Sequence, residues 1–483
     1  METYENSEDF KERYLQEPIN NDLYNPHPGT GEANLDKRRW YILLMYCLTA
    51  ILQNIMWNTW GPIQATARAV YDWDDYVIDL MAAWGCITFC IAMIPFAWIM
   101  DVKGLRVTMV LSAGLQFFGS ALRCIPTDCN STATVLMHSG QFIIGIAGGM
   151  YPAALISSTW FPPNQRTTST AISTVSGYIG TALGFITAPA FVDDIKDSNI
   201  PMVDNRYHLN STQVNSYKRQ INSLLYSETC MQFVIFVAII IYYPAKPKTP
   251  PSLSAATGRV DFKNGIKKLF KNYNFLLLAT IYGASTGVYG GWCSVLYQNL
   301  SDYGIKVNAK FAGWLGFVAV ISGAFSGVSF SLFADRFSGH HKSFLIVFMA
   351  LSFYTTLLIC YIFTGVISFN EIIVYIMFGL SGFFLNGTIP FFFELGVEIT
   401  YPVAEGITAG MITFFNNILQ TGFLVIPLGN FGTKWMLWTT VCTCAVSTIL
   451  LLFVKETYYR SSVDRSRQQR RNVGFDHNCA INS

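Results

Sequence analysis

Among the ionisable side chains within long apolar stretches of this sequence, where a charge is costly and is rarely kept without a purpose, three stand out. Glu228 and Glu394 are carboxylic acids, and His138 is an imidazole. Each can bind or release a proton, and the imidazole does so between neutral and mildly acidic pH. We therefore predict that these residues are candidates for proton coupling. The alternative for each glutamate is a paired carboxylate with a structural role.

A second group of residues combines aromatic rings with amides, which can hold a small organic solute through ring faces and hydrogen bonds. Counting at about 1.5 Å per residue places these residues between the middle of their apolar stretches and one end. The alternative for each amide is a hydrogen bond between helices. The candidates for substrate binding are Gln53, Trp57, Tyr178, Tyr289 and Asn417.

The sequence contains no motif for covalent catalysis, nucleotide binding or metal ligation in a suitable structural context. Most of the 11 cysteines lie in or next to apolar stretches, so they do not predict a disulfide framework. We therefore predict no enzymatic activity, no catalytic residue, no metal, no cofactor and no nucleic-acid partner.

The composition excludes a soluble globular protein. Of the 483 residues, 52% are hydrophobic and 13% are charged, whereas soluble domains contain about 25% charged residues. Twelve apolar stretches are long enough to cross about 30 Å of hydrocarbon. They predict an all-α integral membrane protein with twelve transmembrane helices, at 40–63, 77–99, 104–125, 134–160, 167–192, 223–244, 274–298, 309–333, 343–365, 371–397, 404–428 and 433–454.

Positive charges are concentrated in alternate connections, as is typical of the cytosolic side of a membrane. They occur at 37–39, 246–271 and 455–467, so both termini are predicted to be cytosolic. Three glycosylation sequons fall in the opposite connections, where the acceptor chemistry is available. The predicted glycosylation sites are Asn130, Asn210 and Asn299.

The two halves of the chain carry related glycines and prolines. Gly149 and Pro152 in the fourth stretch correspond to Gly387 and Pro390 in the tenth. Such a repeat inside hydrophobic sequence is typical of transporters built from two fused six-helix bundles. The predicted divisions are a cytosolic tail at 1–36, the first bundle at 37–244, a linker with an amphipathic helix at 245–273, the second bundle at 274–455 and a cytosolic tail at 456–483.

A charged motif follows the second apolar stretch and returns after the eighth. Asp101, Gly104 and Arg106 form the first copy, and Asp335 with Arg336 forms the second. The pattern resembles the loop motif of the major facilitator superfamily. Since an aspartate and an arginine at helix ends can bridge to neighbouring helices, these five residues are predicted to form a gate that holds one side closed.

Within that superfamily, the sequence resembles the feline leukaemia virus subgroup C receptor-related group, also called solute carrier family 49. The strings that carry the resemblance lie at 57–64, 122–126, 159–161 and 392–398. The resemblance implies a lysosomal transporter that is driven by protons and carries pyridoxine (vitamin B6). The alternatives are a choline, ethanolamine or heme transporter, a plasma-membrane location, and a receptor or sensor on a carrier fold.

The choline carriers of this group hold their cation in an aromatic cage on helices 1 and 7, with amides on helix 11. Trp57 matches the tryptophan of the cage, and Gln53 and Asn417 stand where those carriers have amides. The tyrosine of helix 7 has no direct match, because Gly290 occupies its place with Tyr289 beside it. The resemblance therefore implies a partly reproduced cage. A monomer in the lipid bilayer is expected, with a small solute and protons as its partners.

Overall fold

The structure, a computed structural model, describes residues 36–458 apart from short gaps. The gaps are 128, 150–152, 162, 196–201, 204–205, 208, 248–261, 306, 335–339, 402, 404 and 426–431. The predicted tails at 1–36 and 456–483 therefore lie almost entirely outside the described residues. The described residues are mostly helical, with short connections and one short antiparallel pair of strands, Met202–Val203 and Arg206–Tyr207.

The first half begins at Arg38 and contains seven helices among the described residues. Their bounds are α1 Arg38–Trp57, α2 Gln64–Tyr71, α3 Asp75–Arg123, α4 Asn130–Gly148, α5 Ala153–Trp160, α6 Pro163–Phe191 and α7 Ser211–Ile241. A linker helix, α8 Phe262–Lys271, precedes the second half. That half contains α9 Tyr273–Tyr282, a π-helix at Gly283–Gly287, α10 Val288–Ser294, α11 Leu296–Asp302, α12 Ala309–Ala334, α13 His341–Phe363, α14 Glu371–Gly387, α15 Ile389–Thr400, α16 Glu405–Val425 and α17 Lys434–Leu451.

Among the described residues, 9 helices are long and apolar enough to cross a membrane. Two of the other predicted spans are helical but interrupted: the fourth is divided into α4 and α5, and the seventh contains the π-helix between α9 and α10. The eleventh corresponds to the single helix α16. The count of twelve spans stays a prediction.

The second and third predicted spans run together in α3, and Gly104 separates them. This residue has φ 77° and ψ 180°, a conformation that strains any side chain larger than hydrogen. The Thr108 hydroxyl donates to the Gly104 carbonyl over 3.0 Å and fixes the start of the returning helix. The glycine of the predicted gate motif is therefore required by the sharp turn between two spans.

The two ends of the bundle can be distinguished by their contacts. The Tyr41 hydroxyl near the start of α1 donates to Ala238 O near the end of α7, and Asn274 at the start of α9 bonds to Lys455 after α17. We call this end the terminal side and the opposite end the far side. The prediction that the terminal side is cytosolic remains open.

Two pairs of helices join the halves through glycines. Phe185 of α6 lies against Gly313 and Gly316 of α12, where an added Cβ would come within 2.4 Å of the Phe185 carbonyl and 2.9 Å of its ring. Gly410 of α16 lies against the methyl group of Met93 in α3. Contacts this close allow helices to slide past one another with little steric resistance.

Hydrogen bonds also connect the halves on the far side. Asp194, after α6, accepts from the Tyr297 hydroxyl over 2.7 Å and from the Ala309 backbone N–H over 2.8 Å. The Gln64 amide donates to Gln298 over 2.7 Å. We call these five residues the far-side clamp. They hold the halves together at the end opposite to the termini.

The linker contains the predicted amphipathic helix as α8. Leu269 is buried and Phe270 is exposed, and Gly265 lies beside Val403 and Ile407 near the start of α16. The helix therefore packs on the second half through its apolar face. This contact agrees with a tether that fixes the separation of the halves.

The three predicted glycosylation sites differ in accessibility. Asn130 and Asn210 are exposed and lie at the far-side ends of α4 and α7. Asn299 is 0% exposed, and its amide nitrogen donates to Thr433 O over 2.7 Å. Since a glycan is attached to that nitrogen, the prediction of a glycan at Asn299 does not agree with the folded structure.

Single Asn→Gln changes at Asn130 and Asn210 are expected to increase the mobility of the protein on a denaturing gel, each by the mass of one glycan. Asn299→Gln is expected to leave the mobility unchanged, because its nitrogen is buried and hydrogen-bonded. Enzymatic deglycosylation of the same samples should remove the differences. Shifts at the first two positions would also establish that the far side faces away from the cytosol.

Candidate functional site

Trp57 ends α1 in a slot made by two glycines. A Cβ added at Gly85 of α3 would lie 2.9 Å from the indole ring, and one added at Gly148 of α4 would lie 2.3 Å from it. The ring therefore occupies space that any other residue at these positions would fill. Its indole nitrogen is buried without a hydrogen-bond partner among the described residues.

Gln53 lies one turn before Trp57, and the structure brings the two side chains together as predicted. Gln53 is 1% exposed, and its amide nitrogen donates to the Ile144 carbonyl of α4 over 2.7 Å. A Cβ at Gly148 would lie 3.1 Å from the same nitrogen. The amide oxygen of Gln53 has no partner within the described part of the chain. A buried acceptor and a buried donor thus lie unpaired on one face of α1.

The opposite face of α1 packs on α6. Asn54 accepts from the Thr181 hydroxyl over 3.2 Å, and Gly180 and Gly184 allow the two backbones to approach closely. Tyr178 lies on α6 one turn before these contacts and is partly buried. Its phenol lies near that of Tyr282 in the second half. Tyr178 therefore lies where the two halves meet.

In the second half, the π-helix and α10 face α16. The Asn416 amide donates to the Thr286 hydroxyl over 2.7 Å, and the Gln420 amide lies beside Gly290, 3.7 Å from the position of a Cβ there. Sequence reasoning missed both amides. Their spacing of four residues on one helix face was a signal that could have identified them.

The structure does not place Tyr289 and Asn417 beside Trp57. Tyr289 is 4% exposed and packs against Trp292, which stacks on Phe378 of α14. Asn417 is 7% exposed, and its amide donates to Thr413 O within its own helix. Both side chains belong to the interior of the second half. They contribute no ring face or free amide to the Trp57 slot.

Glu228 forms a buried ion pair that the sequence did not indicate. Its carboxylate lies 2.8 Å from Arg123 Nη2 and accepts from the Thr59 hydroxyl over 2.9 Å. Arg123 also donates to Gln141 over 3.0 Å, and Gln141 donates to the Met56 carbonyl. The side chains of the ion pair are 0% and 1% exposed. We call Arg123, Glu228, Gln141 and Thr59 the buried ion-pair cluster.

The other two proton-coupling candidates have different surroundings. Glu394 is partly buried in α15. His138 is partly buried in α4, and its Nδ1 accepts from the Trp84 indole N–H over 2.8 Å. The predicted alternative for a glutamate, a paired carboxylate, therefore describes Glu228. Among the described residues, His138 has one neutral donor as its hydrogen-bond partner.

The gate motif is only partly described. Arg106 is exposed at the terminal side, next to the turn at Gly104. The side chain of Asp101, together with Asp335 and Arg336, lies outside the described residues. Among the described residues, no group of three or more histidine, cysteine, aspartate or glutamate side chains could hold a metal ion.

Residues 42–424 match the model of the Major Facilitator Superfamily. The chain is 35% identical over 442 residues to the protein named Solute carrier family 49 member 4 homolog of Xenopus laevis, covering 90% of this chain and 95% of the relative. It is 26% identical over 416 residues to Choline/ethanolamine transporter FLVCR2 of Homo sapiens, covering 83% and 74% of the two chains.

Solved structures of transporters show the same fold. The Escherichia coli fucose:proton symporter is similar with a TM-score of 0.58 at 13% identity, covering 87% of this chain and 100% of the symporter. A D-xylose-proton symporter is similar with a TM-score of 0.63 at 11% identity, covering 86% of this chain and 98% of that one.

Proposed function

Because the chain belongs to the Major Facilitator Superfamily and, within it, to solute carrier family 49, it is a multi-pass membrane transporter, and we propose that it carries pyridoxine out of lysosomes in a proton-driven cycle of alternating access. The relative with 35% identity over nearly its whole length supports a role within the member 4 branch. The far-side clamp and the glycine contacts between the halves are features that alternating access requires.

The unpaired polar atoms of the Trp57 slot are the observation that favours pyridoxine as the solute. Trp57 Nε1 is a donor and Gln53 Oε1 is an acceptor, both buried without partners in the described structure. Unpaired buried polar atoms are uncommon in folded proteins and are strongly stabilised when a ligand pairs them. Pyridoxine has an aromatic ring and three hydroxyl groups, each of which can donate and accept. Its hydroxyls can satisfy both atoms while its ring packs on the indole.

Choline or ethanolamine is the second candidate, since the relatives with 26% identity are named as choline/ethanolamine transporters. The quaternary ammonium head of choline needs several ring faces and offers no hydrogen bond, so its one hydroxyl is the group that can pair with the slot. With Tyr289 buried in the second half, Trp57 lacks the predicted cage partner from helix 7. This arrangement favours pyridoxine over choline. A heme carrier and a non-transporting receptor or sensor are the remaining alternatives.

Cells that display the protein at the plasma membrane are expected to take up labelled pyridoxine faster at about pH 5.5 than at about pH 7.5, with little uptake of labelled choline at either pH. In this assay the acidic medium takes the place of the lysosomal lumen, because it contacts the same side of the protein. Choline uptake that does not depend on pH would assign the protein to the choline/ethanolamine carriers. No uptake of either solute, with surface expression confirmed, would support the receptor or sensor.

A further inference from the structure

His138 is held as a neutral imidazole by its only hydrogen-bond partner among the described residues. Trp84 Nε1 lies 2.8 Å from His138 Nδ1. An indole nitrogen can only donate a hydrogen bond, so His138 Nδ1 must carry a lone pair, and its proton resides on Nε2. The rings of Trp73 and Trp84 lie 6.4 and 6.3 Å from the imidazole, centroid to centroid.

Protonation changes this contact qualitatively. A second proton on the imidazole goes to Nδ1 and points at the indole N–H, so that two donors oppose each other. The hydrogen bond is then lost. Histidine is the side chain that makes this change between neutral and lysosomal pH. The contact between Trp84 and His138 is therefore broken by acid.

The groups around the imidazole are mostly uncharged. Trp73 donates to the Thr134 hydroxyl over 2.7 Å and stacks on Tyr71. Lys218 of α7 lies over the ring of Tyr71, beyond two aromatic rings from His138.

Charged groups also flank α4 at the level of Gly140 and Gln141. Arg123 of α3 packs on Gly140 and forms the ion pair with Glu228 of α7. Asp72 and Asp74 adjoin Trp73 in the chain and have contacts of their own. The side chains of Asp75 and Asp79 on α3 lie outside the described residues. Within the described part of the chain, the imidazole bonds to one indole nitrogen and lies beside two tryptophan rings, so its own protonation controls the contact.

Trp84 connects this contact to the substrate slot. It precedes Gly85, whose α-carbon faces the ring of Trp57 at a distance that leaves no room for a methyl group. The Trp84 carbonyl accepts from Thr88 over 2.6 Å and faces Gly145 of α4. A displacement of Trp84 is therefore passed through Gly85 to the ring of Trp57, because the backbone at Gly85 and that ring are in close contact.

We propose that His138 is the proton-sensing residue of this carrier, and that its protonation from the far side releases Trp84 and repositions Trp57 through Gly85. This proposal rests on the proposed function and deepens it, because it names the group through which protons act on the solute site. His138 is a positioning residue: it acts on the solute through Trp84 and α3.

The test measures initial uptake rates between about pH 5 and pH 8 for two variants. His138→Gln keeps a neutral acceptor at every pH, so the ratio of the rates at pH 5.5 and pH 7.5 is expected to fall to about one. Trp84→Phe removes the donor but keeps a ring, so protonation no longer breaks a hydrogen bond. Its pH midpoint is expected to rise by about one unit. His340→Gln, at an exposed histidine of the terminal side, is the matched control.

A second measurement does not depend on transport. The tryptophan fluorescence of the purified protein is expected to change over the same pH range. This titration should be absent in His138→Gln, and its midpoint should shift to higher pH in Trp84→Phe. Wild-type pH profiles in both variants would overturn the role of His138, even if pyridoxine is transported. If neither solute is transported but the fluorescence titration behaves as expected, the proposed function fails while His138 remains the proton sensor.

Discussion

Arg123→Met is expected to destabilise the folded carrier by about 3–5 kcal/mol, because it leaves the carboxylate of Glu228 buried without a counter-ion. The two side chains are 0% and 1% exposed, so water cannot replace the guanidinium. The change also removes the guanidinium that donates to Gln141. Gln141 itself donates to the carbonyl of Met56, the residue before Trp57. The measurement is the temperature at which the detergent-solubilised protein loses its monodisperse size-exclusion peak.

Two control variants separate the charge effect from other effects. Arg106→Met makes the same substitution at an exposed position of α3 and is expected to change stability little. The double variant Arg123→Met with Glu228→Met removes both charges and is expected to recover most of the lost stability, as buried pairs replaced by apolar residues often do. A single Arg123→Met variant as stable as the Arg106→Met variant would contradict the prediction.

The same geometry bears on the role of Glu228. A proton carrier must release its counter-ion in every cycle, whereas Glu228 holds Arg123 and Thr59 at once and joins α3 and α7 to the turn after α1. We expect Glu228→Gln to lower stability, with the pH profile of the remaining uptake unchanged. If a stable Glu228→Gln protein showed uptake that did not depend on pH, Glu228 would instead be a proton-coupling residue.

Gly148→Ala is expected to reduce the apparent affinity for the solute about tenfold or more. The added methyl group would lie 2.3 Å from the ring of Trp57 and 3.1 Å from the amide nitrogen of Gln53. Overpacking of this kind costs roughly 1–3 kcal/mol when the neighbours must move, and about 1.4 kcal/mol corresponds to a factor of ten. The measurement is the concentration dependence of uptake, in which KM should rise at unchanged surface expression.

Matched substitutions test whether this effect is specific to the slot. Gly177→Ala adds a methyl group whose nearest neighbour lies 3.8 Å away, so its KM should be unchanged. Trp57→Ala is expected to abolish uptake, while Trp98→Ala, at a position 55% exposed on the outside of α3, is expected to retain it. Normal uptake by Gly148→Ala or Trp57→Ala would show that solute binds elsewhere.

Most of the fold follows from patterns that are local in sequence. Apolar length predicts α1, α6 and α12, the charge alternation of the linker predicts α8, and the glycine of the gate motif predicts the turn at Gly104. Gln53 and Trp57 lie together because residues four apart share a helix face, which needs no knowledge of the partner helix.

The parts that sequence reasoning missed depend on how helices are rotated against each other. Arg123 lies near the end of a predicted span, a position usually occupied by an arginine that reaches the membrane surface. Its ion pair with Glu228 requires α3 and α7 to face each other. Tyr289 was assigned to the substrate site from its estimated depth in the membrane. In the structure its ring packs against Trp292 in the interior of the second half. Asn299 lies in α11, which extends the helical structure beyond the predicted span.

The far-side clamp has a thermodynamic consequence for the two faces of the membrane. Its hydrogen bonds each contribute a net of about 1 kcal/mol, and with three of them the form that opens to the far side is roughly a hundredfold rarer at equilibrium. A ligand that must wait for a rare conformer binds with an apparent affinity lowered by that same population factor. Solute presented to the far side therefore binds with a lower apparent affinity than it would to the same carrier without the clamp, although the contacting residues are the same.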